Sequence, residues 1–380
     1  MYSQLAVRER GGELELAAGG RLLRFPAIWL RDNCPCDQCL DHGSGQKLHD
    51  VTDIPGDVTV AGAADMGESV AITYAPDGHR SVFTRSWLAA HAPDSDGAGT
   101  ADPRTEDGKE LWLPADLSPG RRPEGSWPRY LDEPAEGIRC LGAVLRQGFV
   151  LLHDVPDEPG MVLEVAASFG YVRETNYGRL FDVRVEPSPD NLAYTSREIL
   201  PHTDNPYRDP APTIQLLHCL RTADDGGDTG LVDGFCAAAA LRATQPAAFD
   251  LLTRNDVSFG YQDKGAELRA TRPLIELSPR GRVRGIRFNN RSALPPRLPH
   301  DEITRFYAAY RRWAEMLASP ERRLNLRLAP GDCLVFDNTR ILHARTAFSM
   351  SENSAGRHLQ GCYADLDGLA STLSVLRRTP

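Results

Sequence analysis

The sequence predicts a mainly β protein with helices, built as a small β-rich N-terminal module followed by a larger sandwich or jelly roll. Three observations lead there. Strand-like runs are short, rich in β-branched or apolar residues, and separated by Gly, Pro and Asp. Few segments keep helical spacing, so the regular alternation of strand and helix that marks a parallel α/β sheet is missing. The stretch Ala92 to Lys109, APDSDGAGTADPRTEDGK, has almost nothing to bury and reads as a surface loop or linker. At 380 residues the chain exceeds one typical domain, which favours two. The expected boundaries are 1–100 for the N-terminal module, 101–134 for a linker region that takes in the Pro-rich Pro114 to Pro134, and 135–380 for the larger module.

In the N-terminal module, Leu22 to Ile28 and Val70 to Tyr74 are strand-like. The second runs into Pro76-Asp77-Gly78, a turn signal, before Ser81 to Thr84. The larger module opens with a helix-like segment, Gly160 to Phe169. Short strands follow at Thr213 to Cys219, Arg284 to Phe288, Cys333 to Phe336 and Leu359 to Tyr363. Two helices interrupt them, Ala237 to Leu252 and Asp301 to Leu317. In the second, Ile303, Phe306, Tyr310, Trp313 and Leu317 fall on one face.

Composition narrows the partners. Hydrophobic residues make up 41% and charged residues 25%, ordinary for a globular protein. A formal net charge of -9 argues against nucleic acid or an anionic membrane as the main partner and suits a small cation. No apolar run approaches the roughly 18 to 20 residues that span a bilayer. Met1 to Glu15 mixes charge with glycine and lacks the apolar core of a secretory signal. Of eight cysteines, Cys34, Cys36 and Cys39 crowd together, while Cys140, Cys219, Cys236, Cys333 and Cys362 are scattered among apolar neighbours. Without an export signal, the cluster reads as a metal site in a reducing, cytoplasmic compartment sooner than as a disulfide framework. Three thiolates leave one position of a tetrahedral zinc shell to fill, and His42 and His49 lie near in sequence.

The chemistry concentrates around His202-Thr203-Asp204. On extended backbone, residues two apart project from the same face, so His202 and Asp204 can grip one ion. His343 follows the strand-like Asp332 to Asp337 after a short turn and offers a third ligand. Two histidines and one carboxylate form the facial triad of non-haem iron(II) oxygenases, which leaves positions open for co-substrate and oxygen. A zinc hydrolase can use the same three ligands to activate water. Alone, a His-x-Asp pair is most often a surface turn. Arg357 changes the weighting: it stands 14 residues after His343 and opens Arg357-His358-Leu359-Gln360-Gly361. A guanidinium there can clamp a carboxylate in bidentate fashion, as the distal carboxylate of 2-oxoglutarate requires. In isolation Arg357 would read as a surface ion pair.

Longer motifs now bear on the family. They are WLRDNCPCDQC at Trp29 to Cys39, DNLAYT at Asp190 to Thr195, HTDNPY at His202 to Tyr207 and QLLHCL at Gln215 to Leu220. GGDT and VDGF follow between Gly226 and Phe235. FNN at Phe288 to Asn290, PGDCLVFDNTRILHAR at Pro330 to Arg345 and RHLQGCYAD at Arg357 to Asp365 complete the set. Through these segments the chain resembles the γ-butyrobetaine and trimethyllysine dioxygenase branch of the taurine dioxygenase-like superfamily, over most of both modules. The resemblance implies a double-stranded β-helix catalytic domain, iron(II), 2-oxoglutarate and O2. It also implies a small zinc-binding N-terminal domain and a homodimer. It makes His79, in PDGHRSVF, the candidate fourth zinc ligand, with His42 and His49 as competitors.

The same resemblance assigns a cage for a trimethylammonium group to Tyr177, Phe181, Tyr194 and Tyr363, whose ring faces attract a cation without needing donors. Phe181 departs from the tryptophan expected there and offers a smaller face, which bears on the identity of the substrate. Asn191 and Asn289 are implied as neutral donors to a substrate carboxylate. Each aromatic taken singly reads as core, and each asparagine as a turn or strand-end residue. The implied reaction is hydroxylation of γ-butyrobetaine to L-carnitine, with succinate and carbon dioxide released. Trimethyllysine or a trimethylammonium phosphonate are the nearest alternatives, and the second would want extra cationic donors beside the asparagines. A catalytically silent binding protein that keeps its zinc module is a reading from a different class.

Overall fold

A computed structural model describes residues 8–10, 13–18, 21–93, 104–185, 195–349 and 356–378. The chain divides into two compact units, Met1–Ala101 and Asp102–Pro380. Among the described residues no helix is long and apolar enough to cross a membrane.

The first unit holds two antiparallel three-stranded sheets. One pairs Arg8–Arg10, Glu13–Ala18 and Arg21–Pro26; the other pairs Thr59–Asp65, Ser69–Ala75 and Arg80–Thr84. Alternation puts Leu14 and Leu16 of one sheet and Val70, Ile72 and Tyr74 of the other into one core with Phe25, Leu30 and Phe83. The strand expected to reach Ile28 stops at Pro26, which caps the helix Ala27–Asp32. Proline's fixed φ and missing N–H suit it to that junction. The helix buries Ala27 and Leu30 and hands the chain directly to Cys34.

The second unit is the jelly-roll sandwich that the sequence predicts. Its larger sheet runs Val172–Arg173, His358–Ala364, Ile214–Arg221, Cys333–Asp337, Phe149–His153 and Glu124–Ser126, with Phe181–Arg184 also paired to His358–Ala364. The smaller sheet orders Ile199–His202, Ile341–Arg345, Thr229–Asp233 and Leu324–Leu326. From Ile199 the chain repeatedly crosses between the sheets, which is the winding of a double-stranded β-helix.

Both faces of the larger sheet are buried, so its strands read as continuous apolar runs. Leu217, Leu334 and Phe336 point inward toward Leu231, Leu324 and Ile341 of the smaller sheet. The alternate residues Leu216, Val335 and Cys362 meet the helices Pro134–Gln147, Met161–Ala167 and Leu366–Arg378.

Two sequence expectations change. The Pro-rich stretch read as linker belongs to the second unit: Pro114–Asp116 is a 3-10 turn, Glu124–Ser126 pairs with Leu151 to His153, and Trp127–Asp132 is helical. Pro114, Pro128 and Pro134 sit in first turns, where a missing N–H costs nothing. The single helix expected over Ala237 to Leu252 is two, Gly234–Thr244 and Pro246–Arg254, because Pro246 cannot continue a helix but can start one. Together with His300–Ala318 and two hairpins, these helices form an insertion between Thr229–Asp233 and Leu324–Leu326, with its own core around Phe235, Phe259, Phe306 and Trp313.

Candidate active site and metal centres

His202 ends the strand Ile199–His202 and stands directly across from His343 on Ile341–Arg345. The two rings lie 4.2 Å apart between centroids. Asp204 follows by two residues, with its Oδ1 3.3 Å from His202 Nε2 and its Oδ2 3.9 Å from His343 Nε2. All three ligand atoms fall within 4.8 Å of one another.

The surroundings prepare each ligand. His202 donates Nδ1–H to the Leu200 carbonyl at 3.0 Å, which leaves Nε2 with a lone pair for a metal. Gln215 Nε2 and the Tyr363 hydroxyl both donate to Asp204 Oδ2, at 2.8 and 3.0 Å, so Oδ1 is the oxygen left to bind. The Asp204 backbone is held on both sides by Asn338, whose Oδ1 accepts from Asp204 N at 2.8 Å while Nδ2 donates to the Asp204 carbonyl at 3.0 Å. Desolvation disfavours the Asp204 anion, but His343, His202 and the Tyr363 hydroxyl outweigh it and hold the carboxyl well below its usual range. Burial and the neighbouring His202 lower His343 to about 3, so its ring is neutral at neutral pH. An ionised carboxylate with neutral imidazoles is the protonation state that metal binding needs. The donor set therefore fits a divalent iron with positions to spare.

The triad opens onto a cavity of about 420 Å³. Arg357 lines it, buried, with Nη2 donating to Thr229 Oγ1 at 3.4 Å. Burial lowers the guanidinium to about 10, which leaves it charged at neutral pH. Gly227, with φ +74, makes room for it, since a Cβ there would stand 3.0 Å from Arg357 Cδ. A buried, cationic fork of this kind fits one end of a dicarboxylate.

Another part of the cavity lining is aromatic. Ring centroids run from Tyr207 to Tyr261 at 4.9 Å, Tyr261 to Tyr177 at 5.8 Å, Tyr177 to Phe181 at 6.3 Å and Phe181 to Tyr363 at 5.1 Å. The structure thus brings Tyr177, Phe181 and Tyr363 together, and Asn289 lines the same cavity. Asn191 and Tyr194 lie outside the described residues. Sequence reasoning missed Tyr207 and Tyr261. Tyr207 sits within the quoted HTDNPY motif and bonds the Tyr177 hydroxyl at 2.9 Å. Tyr261 comes from the insertion, and no local pattern around it signals a site. Also missed were Gln215, Thr229, Asn205 and Arg291, all on the cavity lining.

In the first unit, Cys34, Cys36, Cys39 and His79 converge. His79 Nε2 lies 3.2, 3.6 and 3.5 Å from the three Sγ atoms. Zinc bonds of ~2.3 Å to sulfur and ~2.0–2.1 Å to nitrogen give a tetrahedral edge of about 3.5 Å, so the donor set fits zinc in size as well as in chemistry. Arg31 donates to Cys39 Sγ at 3.4 Å and to Asp77 at 3.0 Å, and Asp77 in turn accepts from the His79 backbone N–H. His42 instead faces Asp37, and His49 faces Asp32.

Comparison with known proteins agrees with this geometry. The family described as taurine catabolism dioxygenase TauD, TfdA matches residues 115–363, which include most of the stretch read as linker. A gamma-butyrobetaine hydroxylase-like N-terminal domain matches residues 6–89. The gamma-butyrobetaine dioxygenase of Pseudomonas sp. (strain AK-1) is 37% identical over 95% of this chain and 92% of its own length. The trimethyllysine dioxygenase of Meyerozyma guilliermondii is 30% identical over 94% and 92%. Among solved structures, an asparagine oxygenase in complex with Fe(II), 2S,3S-3-hydroxyasparagine and succinate shares the fold. Its TM-score is 0.50 at 19% identity, covering 61% of this chain and 80% of that one. The chain is a dioxygenase that belongs to the taurine catabolism dioxygenase TauD, TfdA family and carries the gamma-butyrobetaine hydroxylase-like N-terminal domain.

Proposed function

We propose that this dioxygenase hydroxylates γ-butyrobetaine to L-carnitine, consuming O2 and 2-oxoglutarate and releasing succinate and carbon dioxide. One observation carries the reading: a His-Asp-His cluster, a buried arginine and a wall of aromatic rings line the same cavity. His202, Asp204 and His343 would hold iron(II), and Arg357 with Thr229 would hold the distal carboxylate of 2-oxoglutarate. Iron(II) and 2-oxoglutarate, when bound, supply the oxidising chemistry by which one atom of O2 ends in succinate and the other in the new hydroxyl.

The protein's share is positioning. Tyr177, Phe181 and Tyr363, with Tyr194 from the resemblance, face the trimethylammonium group, and Asn289 with Asn191 would receive the carboxylate. Held at both ends, the substrate presents one carbon to the metal side of the cavity. The side chains of Val183, Leu217 and Leu359 on the lining keep water away from that carbon.

Trimethyllysine fits less well. Its α-ammonium needs an acceptor, and the only carboxylate lining the cavity among the described residues is Asp204, already committed to the triad. Zinc at Cys34, Cys36, Cys39 and His79 would be structural, since four protein ligands fill its shell. The eight free cysteines suit a reducing cytoplasm. The net charge of -9 speaks against nucleic acid or an anionic membrane as partner, and a homodimer is proposed by likeness to the family.

The test is anaerobic reconstitution with iron(II), then O2, 2-oxoglutarate and a panel of trimethylammonium compounds, with products read by mass spectrometry. Carnitine in step with succinate, both lost in His202→Ala, is the expected result. Turnover of another panel member alone would move the substrate. Succinate unresponsive to every member, with iron bound, would overturn the assignment.

A further inference from the structure

The cavity carries more positive charge than the reaction partners named so far explain. Among the described residues three arginines line it, Arg291, Arg345 and Arg357, against one carboxylate, Asp204. Arg345 is occupied: its Nη2 donates to the carbonyls of Thr195 and Arg197. Arg357 is the partner proposed for 2-oxoglutarate. Arg291 remains.

Its setting is specific. The segment that carries it is stitched to the metal-ligand motif, since Thr203 N donates to the Phe288 carbonyl at 2.8 Å and Phe288 N donates to Thr203 Oγ1 at 3.0 Å. The bridge between Phe259 and Ala293, with Gly260 N donating to the Ser292 carbonyl at 2.9 Å, fixes the other side of the segment beside Tyr261. Arg291 is exposed where it lines the cavity, and its Nε donates to Asn289 Oδ1 at 3.4 Å. Among the described residues its two terminal nitrogens have no partner.

Asn205 adds an independent sign. It is 3% exposed, lines the same cavity, and has no partner among the described residues for either amide atom. It holds φ 52 directly after Asp204. A buried amide left without partners costs enough that native structures nearly always satisfy it, and backbone of this kind clusters at ligand sites.

We infer that Arg291, backed by Asn289 and Asn205, recognises the anionic end of the substrate and makes a full negative charge there a condition of tight binding. This rests on the proposed function and deepens it. A neutral amide pair can hold a carboxylate but gains little from its charge, whereas a guanidinium distinguishes an anion from an isosteric amide. The ligand class is therefore a trimethylammonium compound ending in an oxyanion, carboxylate or phosphonate, and not its uncharged counterpart. By bonding Asn289 Oδ1, Arg291 also fixes that amide, whose Nδ2 donates to the Thr203 carbonyl at 3.5 Å.

The experiment compares γ-butyrobetaine, its phosphonate analogue and its carboxamide in the wild type, Arg291→Gln and Arg291→Lys, reading kcat and KM for each. In Arg291→Gln the KM for both anions is expected to rise about 10- to 100-fold, that of the carboxamide less than about threefold, and that of 2-oxoglutarate not at all. Arg291→Lys should recover part of the loss, since it restores charge without the fork. An equal loss for all three compounds, or an intact preference for the anions, would overturn the inference. A wild type that oxidises none of them would overturn the proposed function instead. Calorimetric binding of the three compounds then still reads the charge preference, and equal affinity for anions and amide would sink the inference on its own.

Discussion

The most revealing contact at the scale of single residues is a glycine under an aromatic ring. Phe181 and Gly361 are cross-strand partners, and a Cβ at 361 would stand 2.4 Å from two atoms of the Phe181 ring and 3.1 Å from the Leu216 carbonyl. The phenyl therefore lies flat on the strand and leaves cavity volume for a ligand. In Gly361→Ala the Leu216 carbonyl must give by a few tenths of an ångström, and the Phe181 ring must move away from the new methyl. The expected outcome is a native-like thermal melt with a KM for the trimethylammonium substrate raised roughly tenfold, while that of 2-oxoglutarate stays put. An unchanged substrate KM would show that the Phe181 face does not meet the cation. This partnership was not legible in the sequence, where Phe181 carried a role only through the resemblance and Gly361 none. Gln215 was invisible for the same reason. Period-2 alternation puts it on the inner face, but only the register, Gln215 opposite Tyr363, brings both side chains onto Asp204 Oδ2.

Secondary structure elements explain why the triad is stiff. His202 and His343 are fixed by pairing of two strands, but Asp204 lies beyond the end of its strand and needs another support. Asn338, buried between Cys333–Asp337 and Ile341–Arg345, supplies it with three hydrogen bonds, two to the Asp204 backbone and one to the Pro212 carbonyl at 3.0 Å. Asn338→Ala breaks all three and leaves backbone groups without partners. We expect a loss of about 3 kcal/mol in denaturant unfolding and weaker iron retention, because the ligand loop is freed from both neighbours. Wild-type stability in this variant would contradict the account of the loop.

The strands of the larger sheet were legible because burial on both faces writes them as apolar runs such as Leu216-Leu217 and Leu334-Val335-Phe336. The helices Trp127–Asp132 and Pro134–Gln147 were not, because each opens with a proline in its first turn and the pair reads as a Pro-rich loop. Period and composition also say nothing about the insertion carrying Tyr261, Asn289 and Arg291 to the site. Its contribution depends on long-range packing against the His202-Thr203-Asp204 segment.

In the whole molecule, two candidate metal sites of different chemistry lie in two compact units. The thiolate-rich shell in Met1–Ala101 is closed, and the triad in Asp102–Pro380 is open. Metal analysis of variants should separate them. Cys36→Ser is expected to lose zinc and keep iron-binding capacity, and His202→Ala the reverse. The first variant should also lower the melting temperature of its unit, because a structural zinc contributes directly to folding. Joint loss of both metals in either variant would contradict independent sites. The central claim, that the cavity couples O2 to the oxidation of both 2-oxoglutarate and a trimethylammonium substrate, is tested most directly by turnover of γ-butyrobetaine under 18O2. The expected result is one labelled oxygen in succinate and one in the hydroxyl of carnitine, formed in equal amounts. An unlabelled alcohol, or labelled succinate formed at the same rate without the substrate, would contradict it.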